Sequence, residues 1–240
     1  MHELGLGSAV YLIYLLLLIP FAAIRSARIL NAPPPADGSA PARRIPTRMQ
    51  MFNNTSLILS VLFALAWFTA RSFGYKIFAL PALGAREVAA GVVAQALAFA
   101  LIYVGRVIRT AEEIRNLPVN KMMPQNPRET AAYSLMAVIA GISEEAAYRG
   151  VLLQILWYWL GNPWIAFTIA AAAFAAAHVI QGWKSVLMIF FIACVMHALV
   201  WFTGTLVIAM VVHAIYDLAV PTLRRRISRG LPTDPEKSAG

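Results

Sequence analysis

Seven ionisable side chains lie inside runs of apolar residues, where the sequence leaves them little water. They are Glu144, Glu145, Arg149, His178, His197, His213 and Asp217. The other acidic residues (Glu3, Asp37, Glu87, Glu112, Glu113, Glu129, Asp234 and Glu236) stand in loops, in tails or at the ends of apolar runs. An ionisable group inside such a run costs several kcal/mol unless it is paired or opens on a watered cavity. Polar glue between helices is the plain alternative, but glue ordinarily uses Ser, Thr or Asn instead of a carboxylate pair and three histidines.

The spacing divides the labour. In Glu144-Glu145-Ala-Ala-Tyr148-Arg149, Glu145 and Arg149 are four apart and share a helical face, so they can form an ion pair. Glu144 points about 100° away, which leaves its carboxylate free to act as a general base. His178 ends the run Phe174-Ala-Ala-Ala-His178, whose small residues let another helix come within reach of the imidazole. His213 and Asp217 are again four apart and can act on one object or on each other. An Asp-oriented His is both a catalytic arrangement and a common support for a metal ligand.

The elements that must hold these groups are membrane helices. Sixty per cent of the 240 residues are apolar, against roughly 45–50% in soluble domains, and 13% are charged, against about 25%. A water-facing surface cannot be built from so few charges, which excludes a soluble enzyme. The net charge of +9 gathers in basic clusters beside apolar runs, the mark of cytoplasmic loops and not of nucleic-acid binding. The single Cys194 excludes a disulfide framework. The expected fold is an all-α, polytopic membrane bundle of seven to eight helices.

Spans are expected at 8–24, 55–74 and 86–108, then helices at about 129–148, 151–160, 163–180, 184–203 and 205–221. The first span carries basic residues only after its apolar run, at Arg25 and Arg28, so its N-terminus is expected outside. The chain divides into 1–125, three membrane helices with basic cytoplasmic loops; 126–222, a catalytic membrane core; and 223–240, a basic tail expected to be disordered. The proline-rich stretch over 31–48 reads as a flexible basic loop. Depth bears on the helix count. Glu144 lies ~24 Å along its helix from Arg128, and His178 ~22 Å from Pro163, at 1.5 Å per residue. Those depths agree if Arg128 and Pro163 start on the same side, which favours a reversal near Gly150, a short helix 151–160 and eight helices. The charge rule favours instead one tilted span over 129–160 and seven helices.

EExxxR, FxxxH and HxxxN/D, in that order on successive apolar helices, resemble the CPBP family of intramembrane endopeptidases, the CAAX-protease and bacteriocin-processing group also called Abi. The resemblance covers about 130–222. It implies a membrane-embedded peptidase acting on a membrane-associated polypeptide. Glu144 and His178 would activate the attacking water, His213 and residue 217 would stabilise the oxyanion, and Arg149 would fix Glu145. Several family members carry Asn at the last position, where this chain has Asp217. An ionised Asp cannot donate to an oxyanion, so Asp217 is protonated in its apolar site, ligates a metal or orients His213; orientation is the favoured expectation, with Asp217→Asn then costing activity through the wrong imidazole tautomer.

The favoured reading needs no cofactor. A divalent metal such as zinc is the other branch, with Glu144, His178 and His213 as three ligands and an open fourth position, although no HExxH is present. His197 lies three residues from Cys194, so a thiol–imidazole pair is formally available, but a core histidine lining the cavity is the expected role. The tryptophans near helix ends fit interfacial anchors. A non-catalytic immunity or scaffold protein of the same family, binding a peptide or membrane partner, is the alternative function. A proton-coupled transporter is a weaker third, since no inverted repeat is visible. The excess of Arg over Lys, with abundant Ala, points to a bacterial cytoplasmic membrane as the location.

Overall fold

The computed structural model describes residues 6–31, 46–79 and 83–229. Among them every regular element is helical, and eight helices make the bundle. These are α1 (residues 6–31, with a π-helical turn at Tyr14–Leu18), α2 (Arg48–Phe73), α3 (Ala85–Val107), α4 (Pro127–Glu145), α5 (Leu153–Leu160), α6 (Pro163–Ala176), α7 (Trp183–Thr203) and α8 (Leu206–Arg229). A short helix, Ala111–Arg115, and a 3-10 turn, Pro118–Met122, lie between α3 and α4. Five stretches are long and apolar enough to cross a membrane: Gly7–Arg28, Arg48–Phe73, Ala85–Val107, Trp183–Thr203 and Leu206–Ile227. The expected polytopic helical bundle is what the chain forms.

The short helix expected at 151–160 is α5, but the chain does not reverse before it. A π-helical segment, Ala146–Leu152, carries helical backbone from α4 directly into α5, and Glu145, Leu152 and Leu153 all keep right-handed helical angles. Gly150 is therefore a packing residue: a Cβ there would meet Leu206 Cδ1 at 2.8 Å. The reversal comes at Gly161, whose φ of 63° is the left-handed conformation that glycine adopts without strain. Asn162 then starts α6 by accepting the backbone N–H groups of Trp164 and Ile165 on its side-chain oxygen. The depth argument is satisfied without a reversal at Gly150. Glu144 sits near the middle of the continuous rod, about 24 Å from either end at 1.5 Å per residue, so it matches the depth of His178 from the α5–α6 side.

With α4 and α5 as one rod, the helices alternate in direction and most of the basic residues gather at one end, with Arg71, Lys76 and Arg86 at the other. At the basic end Lys184 at the start of α7 bonds the carbonyl of Ile108 and the carboxylate of Glu113. Arg224 reaches Asn120, and Arg225 reaches the carbonyl of Pro124. These last contacts hold α8 helical to Arg229, beyond the expected boundary at 222. The rest of the expected tail, 230–240, and most of the proline-rich loop, 32–45, lie outside the described residues. At the opposite end Thr205 donates to the carbonyl of Ala79.

The core is built from small residues. Ala66, Ala137, Ala146, Ala147, Ala166, Ala170, Ala171 and Ala193 are fully buried. Lipid gives helices little hydrophobic reason to associate, so close backbone approach has to supply the packing.

Candidate active site

His213, from the second turn of α8, is gripped by two consecutive residues of α4. Its Nδ1–H donates to Glu145 Oε1 at 2.8 Å, while its Nε2 stands 3.7 Å from Glu144 Oε2. A carboxylate can only accept, so this contact puts a proton on Nδ1 and turns Nε2 toward Glu144. The 100° step between adjacent helical residues is what lets the two carboxylates straddle one ring. The same Glu145 oxygen accepts from Arg149 Nη1 at 3.1 Å, and both side chains are fully buried. Glu145 is thus the hub of an Arg149–Glu145–His213 relay across the α4–α8 contact.

That contact depends on Gly141. A Cβ at this position would meet the backbone nitrogen of Ala214 at 2.9 Å and the carbonyl of Met210 at 3.0 Å. Tyr133 ties the same helices by donating to the backbone carbonyl of Asp217 at 3.1 Å.

Asp217 Oδ2 stands 3.6 Å from His213 Nε2, on the nitrogen opposite the one held by Glu145. The hydrogen bond of His213 Nδ1 thus goes to Glu145, and Asp217 stands at the other ring nitrogen. The i,i+4 spacing brought Asp217 to the ring, but another helix had already engaged Nδ1. Asp217 and Glu144 instead flank the free nitrogen together.

His178 arrives from α6, which is 14 residues long and stops at Ala176 inside the bundle. Its Nδ1–H donates to the carbonyl of Phe174 at 2.8 Å, which frees Nε2. The Phe174 ring occupies the centre of the constellation. The Arg149 guanidinium lies over it at 4.4 Å, the His178 ring at 4.8 Å, the Tyr148 ring edge-on at 5.0 Å and the His213 ring edge-on at 6.2 Å. The sequence pattern singled out Phe174 without giving it a task. Its task is to hold one imidazole by its carbonyl and cover the arginine with its face.

Sequence reasoning also missed Tyr11 of α1, whose hydroxyl donates to the carbonyl of Ala147 in the π segment at 3.0 Å. A π segment releases backbone groups from the regular ladder and often marks functional sites. Nothing in the local sequence signals it.

His197 joins none of these contacts. It is buried on α7 with its ring 4.6 Å from that of Phe167, and both ring nitrogens lack a hydrogen-bond partner among the described residues. No thiol–imidazole bond to Cys194 is formed. Glu145 Oε2 and Arg149 Nε and Nη2 are likewise buried without a partner among the described residues. A buried polar group left without a partner costs about 1–3 kcal/mol. Among the described residues no three His, Cys, Asp or Glu side chains are arranged to hold a metal ion, Glu144, His178 and His213 included.

No curated protein and no solved structure matches this chain. Residues 126–219 match the family of type II CAAX prenyl endopeptidases described as Rce1-like. That segment carries Glu144, Glu145, Arg149, Phe174, His178, His213 and Asp217. Over that segment the chain is similar to the Rce1-like type II CAAX prenyl endopeptidases, consistent with the CPBP and CAAX-protease family that its three motifs resemble.

Proposed function

We propose that this protein is an intramembrane endopeptidase that hydrolyses a peptide bond of a membrane-associated polypeptide, with Glu144 as the base that activates water. Protease activity is the general character of the matched family. One observation carries the finer reading: Glu144 and His213 Nε2 stand 3.7 Å apart, with His213 fixed from behind by Glu145. That spacing sets the carboxylate that takes a proton from water beside the Nε2 that faces the developing oxyanion.

In this reading Glu144 takes the proton of that water as its oxygen attacks the scissile carbonyl carbon. His178, with Nδ1 on the Phe174 carbonyl, offers Nε2 to position the water. The developing oxyanion accepts from Nε2–H of His213 in its doubly protonated form, whose charge Glu145 and Asp217 balance. Collapse of the tetrahedral intermediate breaks the C–N bond, and Glu144 passes its proton to the leaving amine.

The family's description makes a prenylated CAAX peptide the first substrate to assay. The test compares wild type with Glu144→Gln in nanodiscs on that peptide, and compares the membrane proteomes of cells carrying each form. Loss of cleavage and accumulation of an uncut membrane polypeptide in Glu144→Gln support the reading. A Glu144→Gln variant that cleaves at the wild-type rate refutes the base assignment. A wild type that cleaves nothing in either assay favours a peptide-binding protein.

A further inference from the structure

Away from these residues, α3, α6 and α7 leave between them an apolar groove of about 730 Å³. Its lining includes Arg86, Leu97, Trp164, Phe167, Trp201 and Phe202, and the only charged side chain among its lining residues is Arg86. Arg86 stands at one end, in the first turn of α3. Its guanidinium lies 4.2 Å over the Phe202 ring, and no carboxylate among the described residues pairs with it. Trp164 and Trp201 stack at the same end, 6.3 Å apart, and both are exposed.

Three features identify the occupant. From Arg86 to Leu97 the groove follows α3 for about 16 Å at 1.5 Å per residue. One leaflet of a bilayer has a hydrocarbon depth of about 15 Å, half of the full core. The paired indoles mark the level of the headgroups, where tryptophan is enriched. The one cation lies at that level and nowhere along the apolar wall, and a guanidinium is well shaped to receive a phosphate.

We propose that this groove binds a single phospholipid with an anionic headgroup, its phosphate on Arg86 and its acyl chains along the wall of α3, α6 and α7. The site lies at the end of the bundle away from the basic loops, so lipid attraction to those loops does not explain it. It stands apart from the peptidase reading, because binding is measured without cleavage.

The purified full chain in mild detergent is titrated with phosphatidylglycerol and, separately, with phosphatidylcholine, and lipid-bound protein is counted by native mass spectrometry. Wild type is expected to retain one phosphatidylglycerol in preference to phosphatidylcholine. Arg86→Gln should lower that preference roughly fivefold, the worth of one basic residue at an anionic surface. Arg86→Lys should restore most of it. Ala198→Trp, at an exposed lining position, should block both lipids by filling the groove. Equal retention of the two lipids by wild type, unchanged in Arg86→Gln, overturns the proposal. So does displacement of phosphatidylglycerol by a prenylated peptide or by a second copy of the chain, either of which would name a different occupant.

Discussion

Two ion pairs in this molecule are made from the same chemistry and do different things. Arg149 and Glu145 meet at 3.1 Å in the middle of the bundle, and Lys184 and Glu113 meet at 2.8 Å at its basic end. Distance does not separate them; burial does. The first pair has both side chains fully buried, while Lys184 and Glu113 are 21% and 43% exposed. Water and salt can replace the partner of an exposed charge, so such pairs contribute about 0–1 kcal/mol. Nothing replaces a partner in the core. There the pair is shared: the oxygen of Glu145 that holds Arg149 also accepts from Nδ1 of His213. The central pair is part of the site, and the peripheral pair fastens a loop.

Removing the central cation should break this contrast most severely. Arg149→Met leaves Glu145 charged and buried, and should lower stability by about 3–5 kcal/mol in equilibrium or thermal unfolding in detergent. A loss below 1 kcal/mol would put the central pair in the same class as the peripheral one. Next comes Gly141→Ala, which drives a methyl group into the α8 backbone. It should cost about 1–3 kcal/mol by overpacking. It should also cut cleavage by ~10²-fold, because Glu144 and Glu145 would move away from His213.

Asp217→Asn should have a smaller effect. Glu145, not Asp217, fixes the tautomer of His213, so cleavage should fall less than about tenfold, unlike the ~10⁴-fold loss seen when a true triad aspartate is replaced. Cleavage assayed from pH 5 to 9 with and without chelator decides the point, and a loss of several thousandfold would return the orienting role to Asp217.

Lys184→Met should change least. The Lys184 hydrogen bond holds the Glu113 carboxyl below its ordinary range. A lowered folded-state pKa adds stability above the usual carboxylate pKa of ~4.3 and loses it as the pH falls through the lowered value. The wild type should therefore lose a small increment of stability on acidification that is reduced in Lys184→Met, where the Thr110 N–H still holds Glu113, and high salt should erase the difference. An increment that survives high salt would contradict the peripheral assignment.

The parts of the site that are local in the chain were legible in the sequence. The four-residue spacing of Glu145 and Arg149 gave their pair, and the 100° offset of Glu144 separated it from that pair. The apolar composition gave the membrane bundle. Contacts made by a second helix were not legible. The partner of His213 Nδ1 lies 68 positions away, and the Gly141 contact that brings it near looks like any glycine in an apolar run. The same limit explains Gly150. A glycine amid apolar residues can mark a turn or a close approach, and only the position of Leu206 shows that it is the second. The π segment has no sequence signature, so Tyr11 could not be connected with Ala147.

The central claim is that adjacent carboxylates divide the work, Glu144 reacting and Glu145 holding. Thermal unfolding and peptide cleavage, measured together on Glu144→Gln and Glu145→Gln in the same nanodiscs, test it most directly. Glu144→Gln should unfold at the wild-type temperature and lose ~10²–10⁴-fold in cleavage. Glu145→Gln should unfold at a lower temperature, with its remaining folded fraction partly active. A stable Glu145→Gln, or a Glu144→Gln that cleaves normally, would contradict the division.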